Sequence, residues 1–397
     1  MAGRPWTILN YSFRSFFLLN GLFAVVVMLL WILTLHGIGG WGLPDDPALW
    51  HAHEMLFGFA GSAVAGFLLT AVAAWTGRRP VQGSALGWLV AAWLAGRFGM
   101  SCAAVLPSEL VALLDLAFPV LLCGLVGREI VAGRSRRNYG IVALTIALAL
   151  LDLLYHLGRL AVVRGGDWAA ISLAVHLLLV LVTLIAGRIV PSFTGNWLRA
   201  RGVTSLPAIR PLIERVVIPL TATVGLADAL MPGTPLTGGL AIAAALVHGM
   251  RLARWRGLAT FKEPLLAVLH IAYLWLVIGY VLLSMAAFEF FVPRTAALHA
   301  LTAGGVGGMV LAVMSRVALG HTGRALQTAQ LTVIAYFLLG VAVVIRVGSS
   351  LLATSDLSLL DLSATGWIAA FALFTWVYWP ILTQPRVDGR PERPPGS

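Results

Sequence analysis

The stretch 51-HAHEMLFGFAGSAVAGFLLTA-71 sets two histidines and a glutamate at the head of a run that is otherwise apolar for the length of a bilayer. A carboxylate beside hydrocarbon is costly and needs a partner, and ionisable residues in that setting are functional candidates. Imidazole and carboxylate together can hold a metal. The carboxylate can also accept a hydrogen bond from a histidine that does so. On a helix, His51, Glu54, Met55 and Gly58 share one face by i, i+3, i+4, i+7 spacing, and His53 points roughly the other way. His51 and His53 therefore do not bind one ion together unless the helix starts between them.

The elements that must position these residues are membrane spans. The chain is 59% hydrophobic and 11% charged, with a mean hydropathy of +0.91, against about 25% charged residues in a soluble domain. An all-α, polytopic membrane protein is expected. Roughly twenty apolar residues cross a bilayer, which places about twelve transmembrane helices near 16–35, 51–75, 84–103, 109–131, 140–162, 168–189, 213–231, 236–250, 264–286, 296–318, 328–347 and 364–383. The eighth is the shortest. The first is read as a retained span, since no small-residue cleavage site follows it. Residues 1–383 form a single transmembrane domain, with 191–211 as a basic surface loop. The Pro- and Arg-rich tail from 384 to 397 is expected to be disordered.

Of the 27 Lys and Arg residues, only Arg97, Arg159, Arg164, Arg294 and Arg346 fall on one side of this arrangement. Basic residues mark cytoplasmic loops, so both termini are placed in the cytoplasm. The pI near 10.7 is thereby topology, and no nucleic-acid partner is expected.

Depth then sorts the histidines. His51 and His53 open span 2 and His299 opens span 10, all on the periplasmic side. His176 lies about 12 Å into span 6 from that side, and His156 lies toward the periplasmic end of span 5. His36 is in the first periplasmic loop. His248, His270 and His321 fall at the opposite face. His299 and His321 are about 33 Å apart along one helix and cannot share a metal, so two histidine groups are expected, one at each face. Each histidine also has a plainer reading: a ring in the interface, or one hydrogen-bonded to a neighbouring helix. For His36, His156 and His248 the plainer reading is favoured. For His51, His53 and His299, clustering at one depth favours metal. Zinc suits the ligand type. Haem suits two imidazoles from separate helices better, because the macrocycle fills the gap between them. The run 304-GGVGG-308 after His299 permits close approach of a ring or of another helix. Arg97 and Arg294, with Arg159, could pair haem propionates or snorkel to headgroups.

At these residues the chain resembles the NnrS family, bacterial membrane proteins containing haem and copper and associated with nitric oxide and nitrosative stress. The matching stretches are 50-WHAHEMLFGF-59, 66-GFLLTAVAAWTGRRP-80, 93-WLAGR-97, 187-GRIVPSFTGNW-197, 251-RLARWRG-257, 263-EPLLAVLHIAYLW-275 and 299-HALTAGGVGGMVLAVMSRVALGHTGR-324. The resemblance implies a twelve-span protein of the bacterial inner membrane carrying haem and copper. It brings forward His51, His53, Glu54, His270, His299 and His321, and leaves His176 as a further metal candidate outside the motifs. The H-x-x-x-M-x-F spacing of His51, Met55 and Phe57 is also similar to the second span of haem–copper oxidase catalytic subunits, and the run from His299 to their tenth. Ala297 stands where an oxidase has its high-spin haem ligand, span 7 lacks a His-His pair, and no cross-linking tyrosine site is similar. These departures argue against an oxidase-type binuclear centre and leave a single low-spin-like haem.

The leading expectation is a redox or nitric-oxide-responsive metalloprotein, meeting nitric oxide or iron-nitrosyl species. Its haem sits near the periplasmic face on His51 and His299, and its copper on histidines from the remaining set. Imidazole suits iron and copper alike. A transporter is the alternative, although Asp115 and Asp152, the main carboxylates within spans, show no matching pair in the sequence. A metal- or haem-handling assembly factor without turnover is the third. Cys102 and Cys123 offer no C-x-x-C-H attachment site, so the haem is expected to be haem b. Acidified acetone should extract it completely from the purified protein, and haem retained by the chain would exclude this assignment.

Overall fold

In lipid the backbone can satisfy its own polar groups only within helices or closed barrels. The computed structural model describes residues 7–38, 46–352 and 357–389, and every regular element among them is helical. Twelve helices of 18 residues or more follow one another. They are α1 (Ser12–Leu35), α2 (Pro47–Thr76), α3 (Ser84–Ser101), α4 (Ser108–Ala132), α5 (Tyr139–Arg159) and α6 (Gly166–Arg199). Then come α7 (Pro211–Leu230), α8 (Pro235–Ala253), α9 (Pro264–Ala287), α10 (Arg294–His321), α11 (Gln330–Leu351) and α12 (Leu357–Thr383). Each overlaps one expected segment. Ten are long and apolar enough to cross a membrane, which makes this a multi-pass membrane protein. The two outside that set are α3 and α7, the first carrying Arg97 and the second Glu214, Arg215 and Asp228.

The segment 191–211, expected as a loop, begins as helix: α6 continues through Pro191 to Arg199. The apolar period carries it past the proline. Val190, Thr194 and Leu198 are all buried and fall on one face at i, i+4 spacing. At the other end of the chain, Arg386 donates to the His321 carbonyl at 2.7 Å and the Val387 amide to that of Thr322 at 3.2 Å. Residues 384–389 of the expected disordered tail are thus held in place, and 390–397 lie outside the described residues.

The chain falls into two compact units. One comprises Met1–Ala174, Met314–Leu326 and Phe371–Ser397, the other Val175–Val313 and Gln327–Ala370. In the first, α2 packs on α1 and α4, α3 on α4, and α4 on α5. In the second, α8 and α10 both lie against α9, and α7 lies against α8.

Two helices change pitch directly after a histidine motif. In α2 a π-helical segment, Glu54–Ala60, follows His53, and in α10 another, Ala300–Gly307, follows His299. π-Segments release carbonyls from the regular ladder and recur at functional sites. In α2 the released carbonyls are met by side chains. Trp93 Nε1 donates to the Gly58 carbonyl at 3.1 Å, Asn20 Nδ2 to that of Phe59 at 2.6 Å, and Ser62 Oγ to the same carbonyl at 2.9 Å. In α10 the glycines serve helix packing, the second of the two roles open to them. A Cβ at Gly304 would stand 2.5 Å from Trp275, and one at Gly305 would stand 2.4 Å from Leu276, both residues of α9.

Asn20 is fully buried, so Asn20→Ala should strip the Phe59 carbonyl of one donor where water cannot replace it. A loss of about 1–3 kcal/mol is expected, read as a lower thermal unfolding midpoint in detergent. An unchanged midpoint would show that the π-segment does not depend on α1.

Candidate metal centre

The first unit gathers six ionisable side chains from four helices. His53 and Glu54 come from the start of α2, Arg97 from the end of α3, Asp115 from early α4, and Asp152 with His156 from the end of α5. All six are buried. His53 Nε2 lies 3.0 Å from both Asp115 Oδ2 and Asp152 Oδ1, and its Nδ1 lies 3.0 Å from Glu54 Oε1. His156 Nε2 approaches Asp115 Oδ2 to 2.9 Å. Arg97 grips Glu54 through one terminal nitrogen and Asp115 through the other. Tyr155 and Phe57 close over the His53 ring, with centroids 4.2 and 4.9 Å away.

Local backbone makes the room. A Cβ on Gly58 would lie 2.6 Å from Arg97 Nη1, and one on Gly96 would lie 2.7 Å from Asp115 Oδ1 and 3.1 Å from its Cα. Asp46 caps α2 by accepting the Leu49 amide at 2.9 Å, with Pro47 at the first helical position. That cap fixes where the helix starts and hence which way its histidines face. His53 enters the cluster, while His51 stacks on Trp31 at 4.4 Å between centroids.

Ligand atoms of His53, Asp115, Asp152 and His156 all lie within 4.8 Å of one another. Two imidazole nitrogens with carboxylate oxygens form a donor set suited to copper, zinc or non-haem iron. Glu54 fits the outer position, accepting from Nδ1 of His53 while Nε2 faces the ligand cluster. Its Oε2 is buried without a partner among the described residues. Charge points the same way. Three carboxylates against one guanidinium leave two negative charges in a space closed to water, and a buried charge demands compensation. A divalent cation between neutral imidazoles supplies it, as would two protons.

Of the six, His53 and Glu54 were expected as metal candidates but on opposite helix faces, and Arg97 at haem propionates or headgroups; the structure sets His53 and Arg97 both on Glu54, and the other three members were not expected as ligands. Asp115 and Asp152, which the sequence left without a pair, share His53. His156 does hydrogen-bond a neighbouring helix, and does so inside the cluster. The missed signal was the i, i+4 spacing of Asp152 and His156 on one helix face, within a span that should carry no charge.

The other candidates have separate surroundings. His321 rests against Tyr11 and Phe13 in the first unit. In the second unit, His176 Nε2 meets Asp228 Oδ2 at 2.9 Å, and Arg294 holds the same carboxylate at 2.6 Å. His270 Nε2 meets Thr194 at 3.0 Å. His248 bonds through both nitrogens, to Tyr273 at 2.7 Å and Thr221 at 3.0 Å. His299 Nδ1 lies 2.8 Å from the Thr295 carbonyl. A carbonyl only accepts, so the proton sits on Nδ1 and Nε2 keeps its lone pair for a ligand.

A family model described as NnrS protein matches residues 7–386, nearly the whole chain. No curated protein gives a significant match.

Arg97→Gln should leave Glu54 and Asp115 buried with one cation fewer. Breaking such a pair costs about 3–5 kcal/mol, expected as a large fall in thermal midpoint. Gly96→Ala removes no ligand but pushes α3 from α4, and should lower bound metal with a smaller stability loss. Full metal content in Gly96→Ala would show that the cluster does not need this close approach.

Proposed function

We propose a function from one premise: the chain belongs to the NnrS family. It is a haem- and copper-binding protein of the bacterial inner membrane, with its termini in the cytoplasm, acting in the response to nitric oxide and nitrosative stress. The observation that carries the metal reading is the buried cluster of His53, Asp115, Asp152 and His156. Its nitrogen and oxygen donors fit copper in the divalent state, since no thiolate or thioether is among them. The copper supplies one-electron chemistry when bound. The residues around it do the rest: Arg97 bridges Glu54 and Asp115 and offsets one of their two charges, Glu54 holds the His53 Nδ1 proton, and Tyr155 and Phe57 exclude water.

The haem reading rests on the family and on the histidine motifs. His299 fits it, because its tautomer leaves Nε2 bare. His51 is the candidate in the first unit, with its ring braced on Trp31. His270, His321 and His176 remain further metal candidates, with weaker support: among the described residues none gathers two further ligands as His53 does, and the single carboxylate at His176, that of Asp228, is also taken by Arg294. Nitric oxide or an iron-nitrosyl species is the substrate class that the family suggests. Redox turnover distinguishes this reading from an assembly factor that only hands on metal.

Metal and haem stoichiometry test it together. His53→Ala and His156→Ala should each abolish copper while the haem spectrum persists, whereas His51→Ala and His299→Ala should each abolish or convert the low-spin spectrum while copper persists. Copper undiminished in the His53→Ala/His156→Ala double variant would overturn the assignment of the centre. A colourless, haem-free preparation would overturn the haem.

A further inference from the structure

The motif 76-TGRRP-80 lies outside the metal centre, yet the structure builds it with care. Gly77 ends α2 in the left-handed region at φ +67° and Gly83 precedes α3 at φ +63°, its amide bonded to the Leu9 carbonyl at 2.9 Å. Between them Pro80 and Val81 turn inward and are buried, while Arg78, Arg79 and Gln82 stay exposed. The end of α4 closes on the same point. Gly133 lets it approach Thr76, where a Cβ would stand 2.6 Å from the threonine Cβ.

These elements enclose a cleft of about 410 Å³ lined by Arg78, Arg79, Gln82, Arg128 and Glu129. Glu129 is buried and sets the arginines in place: its Oε2 takes Arg78 Nε at 2.6 Å, and its Oε1 takes Arg128 Nη2 at 2.8 Å. Both carboxylate oxygens are therefore engaged. Beyond those contacts and the Arg128 Nε bond to Oε1 at 2.9 Å, the terminal nitrogens of Arg78, one of Arg128 and the guanidinium of Arg79 have no hydrogen-bond partner among the described residues and are left as donors on side chains that line the cleft. Three guanidiniums against one carboxylate leave two positive charges, which is more than a surface arginine scattered by topology alone would concentrate.

We propose that this cleft binds a phosphate ester of net negative charge, the group carried by anionic phospholipid headgroups and, in phosphatidylcholine, already neutralised by the attached cation. Guanidinium forks match phosphate oxygens in geometry and charge. The volume lies within the roughly 300–1,000 Å³ of small-molecule sites. The cleft also sits where α2 and α4, both candidate spans, run out of apolar sequence, the depth of a lipid headgroup. The same chemistry would accept free phosphate.

Full-length protein in detergent is titrated with short-chain phosphatidylglycerol, short-chain phosphatidylcholine and inorganic phosphate, reading the shift in thermal midpoint. Phosphatidylglycerol should bind at least about tenfold more tightly than phosphatidylcholine, and Arg79→Gln and Arg128→Gln should each weaken it by about tenfold. Arg79 has no ion-pair partner among the described residues, so its variant isolates ligand binding from folding. Binding of inorganic phosphate as tight as that of phosphatidylglycerol would support the site and assign it to the free anion. Binding of phosphatidylglycerol alone would support it and assign it to lipid. Equal binding of both lipids with no effect of phosphate, or an Arg79→Gln variant that binds as the parent does, would overturn the proposal.

Discussion

The double grip of Arg97 on Glu54 and Asp115 is the contact on which the first unit depends. Three carboxylates within apolar helices cannot be hydrated there, and the cost of an isolated buried charge far exceeds the stability of an ordinary domain. One guanidinium, two imidazoles and whatever cation joins them hold those charges. Because the six side chains come from α2, α3, α4 and α5, the same network that balances charge also fixes how these helices meet. Ridges of leucine and alanine would allow many registers along the bilayer. A carboxylate that must reach one arginine allows few.

Backbone devices make that meeting geometrically feasible. Missing side chains at Gly58 and Gly96 admit Arg97 and Asp115, and the π-segment after His53 re-aims α2 at a carbonyl cost that Asn20, Ser62 and Trp93 absorb. The second unit uses the first of these devices again. A Cβ on Gly187 would fall 1.9 Å from Arg251 Nη2, and one on Gly225 would fall 2.4 Å from His176 Cβ. In both units glycine stands where a long or ring-bearing polar side chain crosses to a neighbouring helix. Burial of the polar group and removal of the opposing Cβ go together.

The two units differ in what their histidines have left to offer. His53 and His156 converge on carboxylate oxygens, an arrangement that can exchange protons for a cation. His248 is saturated by Tyr273 and Thr221, an arrangement that locks a ring. His299 lies between these cases, with one nitrogen committed to its own helix and the other available. Their availability follows from hydrogen bonding, since all of these rings lie within helices of similar composition.

Composition and hydropathy alone were enough for the membrane class, because a twenty-residue apolar run has few other uses and each such run became a helix. They were also enough to place His53, Glu54 and Arg97 at one depth, since α2 begins where α3 ends when helices alternate. The same alternation puts Asp115 and the pair Asp152 and His156 at that depth. Depth is a single coordinate, however, and says nothing about which helices are neighbours or which faces they turn to each other. Only the tertiary structure decided that Asp115 and Asp152 share one imidazole. It also decided that the glycines of α10 receive Trp275 and Leu276. Those facts depend on packing between segments distant in sequence, where one missing Cβ or one cap at Asp46 sets the contact. A pattern read along a single helix does not contain its partner.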